Sequence, residues 1–198
     1  DASTELFVKN LAENNGPAFH ELPVDKCREV YKELVSQLSG DLADIGEIRE
    51  LSIPGGNSEI KIRVYSPKKT TKNMPAVAYF HGGGWVIGDL DTHDPVCRRL
   101  SAKSDCLFFS VEYRLAPENK YPSGIDDCIT ATQWIHDNAT ELGVDSKRIG
   151  VAGDSAGGNM AAVVAQELKN IGLTKYKKIA GVVPYGKLLR KYRKSLPN

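Results

Sequence analysis

Long apolar runs are absent from this sequence, and so is any strong excess of one charge. No stretch of the 198 residues approaches the roughly 18 consecutive apolar side chains that span a bilayer. The first residues, DASTELFVKN, lack the charged and apolar regions of a signal peptide. The 26 basic and 25 acidic side chains leave a formal net charge of +1. We therefore expect no membrane-spanning helix and no nucleic-acid partner.

Cysteine pairs of the CxxC type are also absent, which argues against a zinc or redox motif. All of the cysteines lie in segments that we predict to be buried: Cys27, Cys97, Cys106 and Cys128. We expect structural thiols in a reducing compartment, with the cytoplasm favoured, and we expect no metal site and no cofactor. One glycosylation sequon at residues 138–140 leaves a secretory route open.

The order of the predicted elements indicates an α/β protein. Apolar residues recur at helical spacing over residues 24–38, and residues 47–65 alternate as a hairpin does. Short apolar runs then alternate with helical stretches. The runs are Ala76–Phe80, Cys106–Val111, Arg148–Ala152 and Ile179–Val183, and the helices are 95–103, 123–138 and 155–171. Strands buried on both faces and separated by helices predict a mainly parallel sheet in a three-layer α/β/α sandwich.

A G-x-S-x-G segment, Gly153-Asp154-Ser155-Ala156-Gly157, stands between a predicted strand and a predicted helix. Small residues on both sides of the serine permit a tight turn that lifts the hydroxyl above the sheet. This context predicts that Ser155 is a catalytic nucleophile, with Asp154 as a supporting residue. A glycine-rich helix cap with an ordinary serine is the structural alternative. The similar GDSGG of chymotrypsin-like proteases is disfavoured, because those proteases are all-β barrels.

A second motif, His81-Gly82-Gly83-Gly84-Trp85, follows the predicted strand 76–80. Glycines let the backbone approach a substrate closely and turn its amides inward. We predict that Gly83, Gly84 and Ala156 form an oxyanion hole, with a flexible connector as the alternative for the glycines. His81 is predicted to pin the loop rather than to act as a base.

These motifs resemble one family, the hormone-sensitive-lipase-like α/β-hydrolases, which include arylacetamide-deacetylase-like enzymes and bacterial acetyl esterases. The likeness rests on HGGGW at 81–85, YRLAPE at 113–118 with YPSGIDD at 121–127, and GDSAGGN at 153–159. The resemblance implies an α/β-hydrolase fold and a carboxylesterase that forms an acyl-enzyme on Ser155 from small or aromatic esters, without a cofactor. It also implies N-terminal cap helices over residues 1–45 and a partial hydrolase core over residues 46–186. Arg114 in YRLAPE is interpreted as a structural anchor.

Histidine and aspartate are lacking after Ser155, where Glu167 in mid-helix is the only acid. The family's chain order places an Asp and then a His on loops after later strands. We therefore expect a fold that is incomplete at its C terminus, lacking about a hundred residues with the acid and the base, and a chain that is nearly inactive alone. The upstream histidines His20, His93 and His136 are not expected to replace the base, since none is predicted to face Ser155.

The last residues, 187–198, form a basic tail with five basic side chains and no acid. A frameshift, a splice end or a truncated gene model explains this tail more economically than a short membrane-surface helix does. A different function also stays open, because the same family includes plant gibberellin receptors that kept the fold and lost the catalytic histidine. A chain without its base fits a non-catalytic protein that holds a carboxylate ligand at the glycine loop and Ser155.

Overall fold

The computed structural model describes residues 5, 9, 19–56, 58–170 and 179–182. Its helices are α1 (Val24–Leu38), α2 (Asp94–Ser104), α3 (Ser123–Asp137) and α4 (Ala156–Asn170). Its strands are β1 (Glu47–Pro54), β2 (Glu59–Ser66), β3 (Met74–Phe80), β4 (Leu107–Glu112), β5 (Val144–Asp154) and β6 (Ile179–Val182). A 3₁₀ turn over Phe19–Glu21 precedes α1.

Most of these elements lie within two residues of their predicted bounds, and β5 is the exception. The sequence predicts a strand over 148–152, whereas β5 spans Val144–Asp154. Its early part pairs with β3 only at Val144, opposite Met74, and the register then shifts before Ile149 pairs with Ala76. The polar residues in between carry no apolar pattern that a strand prediction could use.

All of the described strands form one sheet in the order β1-β2-β4-β3-β5-β6. The hairpin β1/β2 and the pair β2/β4 are antiparallel, and the pairs β3/β4, β3/β5 and β5/β6 are parallel. Phe80 at the end of β3 pairs with Val111 of β4 and with Gly153 of β5. The carboxyl ends of these central strands therefore meet at one edge of the sheet, and the loops that carry the sequence motifs leave the sheet there.

Successive side chains of the central strands pack on opposite faces of the sheet. Tyr79 packs with Cys97 of α2 in one buried cluster, whereas Phe80 packs with Met160 of α4 in another. The second cluster is the larger and also contains the apolar face of α3, with Cys128, Ala131 and Ile135. Helices thus cover both faces, and the predicted three-layer α/β/α sandwich with a mainly parallel sheet is confirmed.

The N-terminal helix α1 buries little of its own surface, since Cys27 is its only buried residue. The division into a cap over 1–45, a core over 46–186 and a tail over 187–198 stays a prediction, and the tail lies outside the described residues. Within the part of the chain that the structure describes, no helix is long and apolar enough to cross a membrane. The four cysteines are free, and three of them, Cys27, Cys97 and Cys128, are buried.

Candidate active site

Ser155 occupies a strained turn between the end of β5 and the start of α4. Its φ angle is 50°, in the left-handed region that residues other than glycine seldom adopt. The turn is tight because Gly153 and Gly157 both lie against the carbonyl oxygen of Phe80, with which a Cβ atom at either position would collide. Ser155 is exposed, whereas its neighbour Ala156 is buried. The sequence therefore presents one hydroxyl at the edge of the sheet and at the N terminus of a helix.

The loop that connects β3 to α2, residues 81–93, carries the predicted oxyanion donors, and we call it the oxyanion loop. Gly83 and Gly84 have φ angles of 123° and 61°, which favour glycine. The Gly83 carbonyl accepts hydrogen bonds from the amides of Val86 and Ile87, which closes a tight turn. Within the described residues, the amides of Gly83 and Gly84 themselves have no acceptor. These amides are available to an oxygen atom of a bound molecule.

Ala156 adds a third amide of the same kind. It is the first residue of α4, so its N–H group has no acceptor within the helix. The oxyanion loop begins beside this turn, because the Gly82 amide donates to the Asp154 carboxylate at 3.0 Å. The structure thus brings the predicted donors and the predicted nucleophile to the same edge of the sheet, and their catalytic roles stay predictions.

The Asp154 carboxylate is the centre of a polar cluster beneath the loop. Its Oδ1 atom accepts hydrogen bonds from the Tyr79 hydroxyl at 2.8 Å and from the Gly82 amide, and it lies 3.3 Å from Nε2 of His93. Burial alone would raise the pKa of Asp154, but the bonds from His93, Tyr79 and Gly82 outweigh burial and lower it below its ordinary value. Asp154 is therefore ionised at neutral pH.

His81 is fully buried at the start of the oxyanion loop. Its ring stacks on Tyr113 with centroids 4.3 Å apart, and its Nδ1 atom lies 2.8 Å from the Gly82 carbonyl oxygen. The Tyr113 hydroxyl donates to the His81 carbonyl at 2.6 Å. Burial lowers the pKa of His81 to about 4, so the ring is neutral at pH 7. These contacts fit the predicted role of His81 in pinning the loop.

None of the other histidines is placed as a base for Ser155. His93 is buried, with one ring nitrogen facing Asp154 and the other facing Thr92. His20 is exposed on the 3₁₀ turn, and His136 pairs with Asp137 on α3. Within the described residues, no hydrogen bond joins a histidine to the Ser155 hydroxyl. The described residues also contain no group of three or more metal-ligating side chains.

The connection from β4 to α3, residues 113–122, contains YRLAPE, and we call it the YRLAPE loop. Arg114 makes a fork-shaped ion pair with Asp127 of α3, with N–O distances of 2.8 Å from both Nε and Nη2. Its backbone amide also donates to Asp127, at 2.9 Å. Arg114 is the anchor predicted from the sequence, whereas its partner Asp127 was not predicted, although YPSGIDD ends on that residue.

Arg28 of α1 bridges the two loops, a role that the sequence did not predict. It donates to the Val86 carbonyl at 2.8 Å, to the Ala116 carbonyl at 3.1 Å, and to the Glu118 carboxylate at 2.8 and 2.9 Å. A lone arginine within an amphipathic helix carries no sequence signal for such a role. The N-terminal helix is held against the site by this side chain.

A cavity of about 360 Å³ opens between the oxyanion loop, the YRLAPE loop and the first turns of α4. Its lining is mostly apolar and includes Gly84, Trp85, Tyr121, Ile125, Met160 and Val163. Ser155 does not line the cavity, but it directly precedes the helix that forms one wall. The cavity can hold a small apolar or aromatic group within reach of the site.

Comparison with known proteins shows the family. The family described as the alpha/beta hydrolase fold matches residues 77–197, which is more than half of the chain. A carboxylesterase of Mycobacterium tuberculosis is 53% identical over 117 residues, or 59% of this chain and 37% of the relative. An arylesterase of Saccharolobus solfataricus is 40% identical over 165 residues, or 83% of this chain and 53% of the relative.

A solved structure, that of a hyperthermophilic esterase from Pyrobaculum calidifontis, superposes with a TM-score of 0.83 at 37% identity. The match covers 90% of this chain and 57% of that one, so the chain spans about half the length of the proteins it resembles. The likeness to esterases that the motifs predict is confirmed, and the chain belongs to the family of proteins with the α/β-hydrolase fold.

Proposed function

We propose that this chain carries the nucleophile and the oxyanion hole of a serine carboxylic-ester hydrolase. The observation that supports the proposal best is the exposed Ser155 hydroxyl on a left-handed turn, beside a glycine loop whose amides have no acceptor among the described residues. The family relatives named as a carboxylesterase and an arylesterase support the same reaction class.

In this mechanism Ser155 Oγ attacks the ester carbonyl carbon and the carbonyl oxygen becomes an oxyanion. The amides of Gly83, Gly84 and Ala156 donate to that oxyanion, and each aligned donor lowers the barrier by roughly 3 kcal/mol. The alcohol then leaves, and water releases the acid from the acyl-enzyme. The cavity beside Trp85 and Met160 suits a small acyl group or an aryl group.

The proton of Ser155 needs an acceptor, and this requirement limits the rate of the chain alone. No histidine among the described residues hydrogen-bonds to the serine, and the sequence contains none after residue 136. An oxyanion hole without the rest of a triad still accelerates hydrolysis by about 10³ to 10⁴ over water. We expect activity of that order from these 198 residues.

Fluorophosphonate labelling tests the proposal directly. We expect slow labelling of Ser155, located by peptide mass spectrometry, together with slow hydrolysis of 4-nitrophenyl acetate. Ser155→Ala should abolish the labelling but keep the residual hydrolysis that the oxyanion hole supports, whereas Ser36→Ala, an exposed serine on α1, should leave both unchanged. A chain that unfolds cooperatively in urea but does not label at residue 155 would contradict the proposal.

A non-catalytic binding function is the second candidate, because the amides of Gly83 and Gly84, which have no acceptor among the described residues, can also hold a carboxylate. In that case the free amides of the oxyanion loop would hold a carboxylate rather than an oxyanion. Benzoate is a suitable probe, followed through the amide resonances of Gly83 and Gly84. Benzoate binding without labelling of Ser155 supports the receptor-like function, and labelling with turnover supports the hydrolase.

A further inference from the structure

Both ends of the oxyanion loop meet the same carboxylate. The second residue of the loop, Gly82, donates its amide to Asp154, and the last residue, His93, directs Nε2 at the same Oδ1 atom. We propose that Asp154 and His93 are positioning residues that hold the oxyanion loop in its reactive shape. This inference rests on the proposed function of Ser155, because it concerns how the oxyanion donors beside that serine are held in place.

At the start of the loop, the fit between Gly82 and Asp154 leaves no spare room. The amide nitrogen and the carboxylate oxygen are 3.0 Å apart, and a Cβ atom on Gly82 would collide with the carboxylate. Tyr79 holds the same oxygen from β3, through its hydroxyl at 2.8 Å. Because Asp154 immediately precedes Ser155, the carboxylate links the serine turn to the loop that carries Gly83 and Gly84.

At the end of the loop, a chain of polar contacts returns to Asp154. Asp89 and Thr92 exchange hydrogen bonds: the Asp89 amide donates to Thr92 Oγ1 at 2.8 Å, and the Thr92 amide donates to Asp89 Oδ1 at 2.7 Å. Thr92 Oγ1 lies 3.0 Å from Nδ1 of His93. His93 is 4% exposed, so its ring is fixed between Thr92 and Asp154.

The protonation of these groups assigns His93 a donor role. The pKa of Asp154 is lowered, so Oδ1 is an acceptor, and Nε2 of His93 must carry the proton that faces it. Burial raises the pKa of Tyr79, which keeps its hydroxyl protonated and able to donate. His93 therefore has no free lone pair on Nε2 for a serine proton, and its contacts suit a support rather than a base.

A displaced oxyanion loop would affect the reaction through the donor amides of Gly83 and Gly84. Gly83 and Gly84 directly follow the bonded residue Gly82, so a displaced loop would move both amides away from the oxyanion. Misplacement of a reacting or stabilising group by about 1 Å costs on the order of 100-fold in rate. Loss of either anchor should thus lower reactivity at Ser155 without removing any group that contacts the substrate.

Hydrogen exchange followed by mass spectrometry tests the positioning role without substrate. We expect amides in residues 81–93 to exchange about tenfold faster in Asp154→Ala and in His93→Ala than in the wild type. Asp154→Asn keeps an acceptor oxygen and His93→Gln keeps a donor amide, so both should restore most of the protection. Asp145→Ala, an aspartate at the other end of β5, should leave residues 81–93 unchanged.

Two results of the exchange experiment would contradict the positioning role. Unchanged exchange at 81–93 in both alanine variants would overturn the proposal, and so would a rise spread evenly over all segments, which indicates general destabilisation. If Asp154→Ala does not fold, His93→Ala alone decides, since that side chain is not part of the serine turn. Urea unfolding of each variant shows which of them are folded.

Reactivity at Ser155 provides the second readout. We expect the second-order rate of fluorophosphonate labelling to fall about 100-fold in Asp154→Ala and to recover most of this loss in Asp154→Asn. Equal labelling of the wild type and of a variant with a loosened loop would overturn the positioning role. If the wild type does not label although the exchange results hold, the proposed hydrolase function fails and the anchoring of the loop by Asp154 stands.

Discussion

The oxyanion loop and the YRLAPE loop leave the same edge of the sheet, and each is held by an aspartate outside it. The Gly82 amide donates to Asp154 at 3.0 Å, and the Arg114 amide donates to Asp127 at 2.9 Å. The remaining partners differ. Asp154 is completed by a phenol and an imidazole, whereas Asp127 is completed by the guanidinium of Arg114 itself.

The difference distinguishes a structural ion pair, Arg114 with Asp127, from the polar cluster around Asp154 beside Ser155. Arginine keeps its charge at every relevant pH and grips a carboxylate with two parallel hydrogen bonds, which fixes the YRLAPE loop firmly. Beside Ser155 the chain instead uses Tyr79 and His93, which hold the carboxylate through single hydrogen bonds. A permanent cation would lie next to the serine turn if the two arrangements were exchanged. The loop that carries the predicted oxyanion donors is thus the one held without a permanent cation.

The largest expected effect comes from breaking the charged anchor. Asp127 is 2% exposed, so Asp127→Ala leaves the Arg114 guanidinium without its partner in a partly buried site. We expect the free energy of unfolding to fall by about 4 kcal/mol, as measured by urea denaturation. Asp126→Ala, which changes an exposed neighbour on α3, should cost less than about 0.5 kcal/mol. Equal losses in the two variants would contradict the anchoring role of Asp127.

Acid should lower the free energy of unfolding through His81, which lies at the start of the oxyanion loop. The unfolded chain binds a proton on this histidine near pH 6.5, whereas burial lowers the folded pKa to about 4. The unfolded state therefore binds more protons between these values, and the free energy of unfolding falls as the pH falls from 6.5 to 4. The difference corresponds to about 3 kcal/mol at the lower limit.

Urea denaturation at pH 7, 5.5 and 4.5 measures this slope. His81→Gln should flatten it, because the titrating group is gone, whereas His20→Gln, which changes an exposed histidine, should keep it. An unchanged slope in a folded His81→Gln variant would show that the acid sensitivity arises elsewhere.

The smallest expected effect comes from removing Arg28, because this side chain contacts both loops and its loss should loosen both. Arg28 contacts the oxyanion loop at Val86 and the YRLAPE loop at Ala116 and Glu118. In Arg28→Ala we expect amides of residues 81–93 and 113–122 to exchange about threefold faster. Arg28→Lys should not restore protection, because one ammonium cannot reach all of these acceptors.

Lys26→Ala is the matched control for Arg28. Lys26 lies on the same helix and pairs with Glu29, and both side chains are largely exposed. Exchange in the two loops should therefore stay at the wild-type rate. Faster exchange in only one of the loops in Arg28→Ala would show that the arginine supports that loop and not the other.

The sequence predicted the layers of the fold well, because buried parallel strands and amphipathic helices have strong local patterns. The helix over Val24–Leu38 and the strand that ends at Phe80 agree with the predicted segments. The early part of β5 was missed, since residues 145–147 are polar and lie within a register shift. That β2 joins the central sheet through β4 was also not predicted, because strand pairing depends on contacts far apart in the sequence.

For the candidate site, the motifs located Ser155, the glycine loop and Asp154, but not the side chains that hold Asp154 in place. Glycines and a serine in a fixed order restrict the backbone locally, so their spacing predicts the turn. Tyr79 and His93 lie 75 and 61 positions from Asp154 in the numbering, and they meet it only because β3 pairs with β5. Arg28 is a similar case, as it contacts Glu118 across 90 residues.

The pairing of Phe80 with Gly153 limits which changes in chain length the fold can accept. A residue inserted into β3 would turn Tyr79 away from Asp154 and bring an apolar side chain to its place, because side chains alternate between the faces of a strand. A residue inserted into the distal part of the YRLAPE loop would leave this pairing intact. Length variation among relatives should therefore be concentrated in the loops and in the irregular start of β5, and should be lacking from residues 76–82 and 149–157.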